Sequence, residues 1–96
     1  MAKKKKNIDF MIQMIQSFIN GDIGMIDFYL DFQYELELRY QKMLKEDDFI
    51  TDQIYYLIMD KCISRYYETS DQDFKQAVEE AYEEINNLYY RNYDIL

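Results

Sequence analysis

Carboxylates dominate the chemistry open to this chain: nineteen Asp and Glu stand against eleven Lys and Arg, with no histidine. Paired carboxylates can move protons or hold a di-iron centre. Bundle sites of that kind, however, point inward and draw on Glu-x-x-His pairs, which a histidine-free chain cannot supply. The single cysteine, Cys62, excludes an internal disulfide, and without histidine the usual zinc and haem ligand sets are missing. A reactive thiol needs an exposed, electropositive setting. Cys62 falls near the inner side of an apolar stretch, so it reads as core despite Lys61 and Arg65 close by in sequence. A phosphate loop, a dinucleotide glycine signature, a CxxC pair and a nucleophile elbow are all absent. The expectation is a non-enzymatic protein with no metal and no cofactor.

The acids fall into three groups. Asp27, Asp31 and Glu35 recur every fourth residue and make a line along one helix edge. Glu46, Asp47, Asp48 and Asp52 crowd the start of a later helix, where acids at a helix N-terminus stabilise it by about 0.3–1 kcal/mol each. Capping accounts for two of these four and leaves an excess. Glu79, Glu80, Glu83 and Glu84 share one face with Lys75 as the nearest base, and like charges one turn apart cost about 0.2–0.5 kcal/mol per pair. The formal charge is −8, but four of the eleven bases are Lys3 to Lys6, so residues 7–96 carry nineteen acids against seven bases, a charge of −12. Such a body repels nucleic acid and anionic membrane and speeds encounter with basic proteins. A basic protein partner follows, although solubility alone also favours acid excess. Eleven tyrosines and six phenylalanines exceed what four short helices need inside. Tyrosine is a favoured contact residue, and Tyr55, Tyr56 and Tyr67 are the candidate anchors, with boundary packing as the plainer use.

The elements that position these groups are helices. No proline, two glycines and 49 % hydrophobic residues predict an all-α, single-domain four-helix bundle over residues 7–96, preceded by a disordered basic start over 1–6. Asn7 is placed to cap a first helix whose apolar face is Ile8, Met11, Ile12, Ile15, Phe18 and Ile19, with Phe10 and Met14 off the stripe, either sandwiched between neighbours or left as an apolar strip for a partner or second copy to cover. Gly21 sits where a left-handed residue closes that helix, and Asp22 where the next is capped. The second helix runs from Met25 to about Lys45, with Met25, Phe28, Phe32, Leu36 and Met43 inward and Ile26, Leu30 and Tyr34 beside them. A third spans Phe49 to Tyr67 on Ile50, Ile54, Leu57, Ile58 and Tyr66. The fourth starts at Ser70, with Asp73 completing a capping-box pattern, buries Phe74, Ala77, Val78, Ala81, Ile85 and Leu88, and frays after about Asn92. Lys3 to Lys6 ahead of Ile8–Ile19 have the look of a signal peptide, but Asp9, Gln13, Gln16 and Ser17 interrupt the apolar run, and no stretch reaches the ~18 apolar residues of a membrane span. Cytoplasmic residence is expected.

Phe18-Ile19-Asn20-Gly21-Asp22-Ile23, followed by Phe28, Phe32 and Glu35, resembles the opening of small bacterial immunity proteins of the colicin D immunity type. The resemblance covers roughly the first forty residues. It implies a four-helix bundle that blocks a toxin domain, in that family a tRNA-cleaving nuclease, with acidic side chains standing in for the phosphates of the RNA. Two other uses of the same features stay open. One is a nucleic-acid mimic of the anti-restriction or anti-CRISPR type; the other is a structural helical homodimer in which Phe10, Met14 and the tyrosine pairs cover one another. Monomer or weak homodimer is the expected state.

Overall fold

The computed structural model describes residues 5–94. Among them lie four α-helices and no strand: α1 Lys6–Ile19, α2 Met25–Glu46, α3 Asp48–Ile54 and α4 Asp71–Asp94. The α1 start, the α2 finish, the α3 start and the C-terminal part of α4 meet at one end through Asn7–Glu46, Lys5–Asp47 and Tyr89–Asp9 contacts. No helix among the described residues is long and apolar enough to cross a membrane.

The corner between α1 and α2 closes as its residue types predict. Gly21 adopts φ +85°, the left-handed geometry that only glycine enters without strain. Its N–H reaches Phe18 O at 3.1 Å, and the Asp22 N–H reaches Ser17 O at 2.8 Å, the two bonds of a Schellman closure. Asp22 is thereby held in the turn and does not cap α2. That helix starts at Gly24, with no side-chain cap. Around the corner Phe18 stacks on Phe28 at 4.5 Å, and both meet Phe74 edge-on at 5.9 and 6.4 Å, tying α1, α2 and α4 together. Tyr66 closes the cluster against Phe74 at 5.1 Å.

The third helix is not one helix. α3 ends at Ile54, the chain continues as a π-helical turn over Tyr55–Asp60, and after Lys61 and Cys62 it tightens into a 3₁₀ segment over Ile63–Glu68. The inner residues give the reason. Leu57, Ile58, Cys62 and Ile63 are all buried, and their pairs are five residues apart. A continuous α-helix would spread them around most of its circumference, whereas widening the turn brings Leu57 over Cys62 and Ile58 over Ile63. The Lys61 N–H duly bonds Tyr56 O, five residues back, at 3.2 Å. At the start of α4, Ser70 Oγ accepts the Asp73 N–H at 3.1 Å, as the capping pattern predicts. The helix then continues through Asp94, past the expected end at Asn92, and buries Tyr89 in addition to most of the predicted stripe.

The opposite end is polar. Asn7 lies inside α1 and caps nothing. The cap comes from Glu46, some forty residues on, whose carboxylate accepts the backbone N–H groups of Asn7 (3.0 Å) and Ile8 (2.9 Å) and the Asn7 side-chain amide (2.7 Å). Asn7 Oδ1 accepts from Arg39 at 2.8 Å, and the Arg39 Nε donates to Glu35 at 3.0 Å. The Arg39 guanidinium also lies over the Phe10 ring at 3.6 Å, but Phe10 stays 36 % exposed and is not sandwiched, whereas Met14 packs against the core. Asp47 caps α3 through Ile50 N–H at 3.1 Å and pairs with Lys5 at 3.0 Å, and the Tyr89 hydroxyl donates to Asp9 at 2.6 Å. Lys5 and Lys6 therefore belong to the folded body, which corrects the expected disordered start at its last two positions; residues 1–4 lie outside the described residues.

Burial raises the Glu46 carboxyl, but the amides of Ile8 and Asn7 and the nearby Lys6 charge outweigh it and hold the group below the ordinary carboxylate range. A depressed folded value means that this stabilisation is complete above the unfolded value and is lost as pH falls through the folded one. Glu46→Gln is expected to lower the unfolding free energy by about 1–3 kcal/mol at neutral pH. The deficit should shrink as pH falls through and below the ordinary carboxylate range, where wild type loses the same charge. Urea titrations at pH 7 and pH 3 check both statements.

Candidate interaction surfaces

The three acidic groups end in different circumstances. In the first, Asp27 and Asp31 are exposed, whereas Glu35 is half-buried and ion-paired with Arg39. The second divides. Glu46 and Asp47 are half-buried and engaged as helix caps, so they are withdrawn from any docking patch, and only Asp48 and Asp52 face out. The reason lies in the corner itself: the α2 finish, α1 start and α3 start converge there, and their exposed N–H groups need acceptors. The third group, Glu79, Glu80, Glu83 and Glu84, is exposed throughout on the rigid α4 shaft. Gln76 reaches Glu80 at 3.4 Å, and among the described residues no ion pair involves any of the four. The exposed acids are thus Asp27 and Asp31 on α2, Asp48 and Asp52 on α3, and the four glutamates on α4.

The tyrosines divide similarly. Tyr67 is 85 % exposed, lying edge-on to Tyr29 at 5.8 Å and to Tyr66 at 5.2 Å. Tyr56 is exposed under the Lys61 ammonium at 5.0 Å. Tyr55 is exposed and meets Tyr40 edge-on at 5.9 Å, beside an open groove of about 410 Å³ between α2 and the π turn.

A fourth surface departs from the expected layout. Ile26, Leu30 and Tyr34 do not lie beside the inner row of α2; they point away from it, and Leu38 continues their line. Their exposures are 65, 56, 61 and 59 %. Residues two apart on a helix are about 200° apart. With Phe28, Phe32 and Leu36 buried, Ile26, Leu30, Tyr34 and Leu38 must form the outer ridge. The sequence carried that signal in the two-residue offset between the rows. Asp27 and Asp31 border the ridge on one side, and the groove beside Tyr40 and Tyr55 borders it on the other.

Cys62 is buried at a shallow cleft between the π turn and α4, where Lys61 and Arg65 face Glu80 and Glu84. Burial, then the Glu80 charge, push its thiol up to about 11 against the opposing effect of Lys61, and Sγ lies 3.3 Å from Leu57 O. The thiol stays protonated at neutral pH, the opposite of what a nucleophile requires. Among the described residues no cluster of three Asp, Glu or Cys side chains is placed to hold a metal ion. Compared with protein families, curated proteins and solved structures, the chain matches no family model, no curated protein and no known structure.

The burial of Cys62 has a direct readout. A water-soluble disulfide reagent at pH 8 should modify the folded protein at least about a hundredfold more slowly than the urea-unfolded chain, because the thiolate fraction falls with the raised pKa and access falls with burial. Equal rates in both states would contradict this placement.

Proposed function

We propose that the protein is an immunity protein: a stoichiometric inhibitor that binds a cognate bacterial toxin in the cytosol and covers the basic active-site cleft of that toxin, a tRNA-cleaving or other nuclease domain, with acidic surface. The observation that supports this reading is how little of the acid charge is neutralised internally. Among the described residues there are two ion pairs, Lys5–Asp47 and Arg39–Glu35, for a body with nineteen acids. Both sit at the polar end of the bundle. Asp27, Asp31, Asp48, Asp52, Glu79 and Glu83 are exposed and outside those pairs, and Glu80 and Glu84 are exposed at the cleft they share with Lys61 and Arg65.

Like charges held along a rigid helix cost stability in the free protein, and a positively lined cleft relieves that repulsion on binding. A nuclease cleft binds phosphates through Lys and Arg, so its chemistry is the complement of this surface. The bundle supplies what a flexible acidic tail lacks, because its carboxylates are already fixed in place and little ordering entropy is lost on association.

The test uses the C-terminal domain encoded by the gene directly upstream, the usual position of a toxin gene relative to its immunity gene. Co-expression should protect cells from that domain, and the purified proteins should associate one to one. Reversing Glu79, Glu80, Glu83 and Glu84 to Lys should slow association about tenfold or more at low salt and flatten its salt dependence, with the fold intact by circular dichroism. An upstream product that neither harms cells nor binds this chain overturns the reading.

A further inference from the structure

The outer ridge of α2 is the feature that neither the bundle nor the acid field accounts for. Four large apolar side chains, each more than half exposed, stand in line over three turns of one helix, and no internal packing requires them there. Resting on the inhibitor reading above, we infer that this ridge, Ile26, Leu30, Tyr34 and Leu38, is the face on which the partner docks, and that it takes a basic protein presenting an apolar groove rimmed by Lys or Arg.

Charge selects that occupant. Between residues 26 and 38 there are four acids, Asp27, Asp31, Glu35 and Glu37, and no base. Glu35 is already paired with Arg39, which leaves Asp27, Asp31 and Glu37 as the exposed acidic border of the ridge. A second copy laid on the ridge, parallel or antiparallel, sets those acids against acids of its mate, and so does an anionic membrane. A basic apolar partner meets a ridge for its groove and carboxylates for its rim, the helix-in-groove mode of recognition. The groove beside Tyr40 and Tyr55, flanking the ridge, extends the contact and gives Tyr55 an anchoring role.

The arrangement separates two tasks. The α4 acids act at a distance and set the rate of encounter; the ridge is desolvated on contact and sets the lifetime of the complex. Because the ridge side chains are not part of the core, they can be changed without unfolding the protein.

The experiment replaces Ile26, Leu30 and Leu38 together by Gln, a good helix former, and confirms an unchanged urea midpoint. Two probes are used: the upstream-encoded C-terminal domain, followed by binding kinetics, and a synthetic amphipathic Leu/Lys helix of about five turns, followed by amide chemical shifts. The expected result is dissociation of the domain about a hundredfold faster, with association little changed, and peptide-induced shifts over residues 26–38 that vanish in the variant. If wild type and variant hold the domain equally, the ridge assignment falls while the inhibitor reading stands. If wild type does not bind the domain, the inhibitor reading falls and the peptide decides: shifts over 26–38 uphold the ridge, and shifts confined to α4 overturn it. A wild-type dimer by light scattering that the variant abolishes, or ridge-dependent capture by phosphatidylcholine–phosphatidylglycerol vesicles, also overturns it.

Discussion

One carboxylate, that of Glu46, fixes how the helices meet. The first turn of α1 carries N–H groups with no partner inside the helix, and Lys5, at the capping position, brings no side-chain acceptor of its own. Glu46 arrives from the last residue of α2 and accepts two of those groups together with the Asn7 side chain. Its negative charge also lies at the positive end of the α1 dipole. A half-buried carboxylate is stable here without a cation in direct contact because amides do the work of solvation. The adjacent residue, Asp47, then caps α3 and pairs with Lys5, so two consecutive acids settle three helix termini.

This divides the acids by task. Those at the convergence of helix ends are structural, and their negative charge is met by backbone amides or by Lys5 and Arg39. On the shafts Glu35 pairs with Arg39, whereas Asp27, Asp31 and Glu37 of α2, Asp48 and Asp52 of α3 and Glu79, Glu80, Glu83 and Glu84 of α4 are exposed and make no ion pair among the described residues. An acid-rich composition therefore describes two populations, and only the second is available to another molecule. The two populations are adjacent in sequence at Asp47 and Asp48, where one residue faces the corner and the next faces water.

How much of this was legible depended on the range of each interaction. The Gly21 closure and the Ser70 cap could be read directly because both are decided within four or five residues. The helical class followed from composition and spacing. The Glu46 cap could not be read locally: it joins residues 38 and 39 positions apart, and a Glu next to two Asp looks like one more member of a charged corner. The break after Ile54 departs from the 3.6-residue period that the apolar spacing predicts, because the inner pairs of that stretch are five apart. The expected place of Ile26, Leu30 and Tyr34 beside the inner row fails because their two-residue offset from Phe28, Phe32 and Leu36 turns them to the opposite side of the helix.

The bundle is fastened differently at its two ends. Where the Gly21 corner lies, Phe18, Phe28, Phe74 and Tyr66 hold by ring contact, which does not change with acidity. At the far end, ionised groups hold α1 to its neighbours. Lowering the pH therefore weakens the Glu46 link between α1 and α2, while the ring contacts at the Gly21 corner do not titrate. The first turns of the long second helix, with Ile26 and Leu30 on their outer side, lie beside those ring contacts and at the other end of α2 from Glu46.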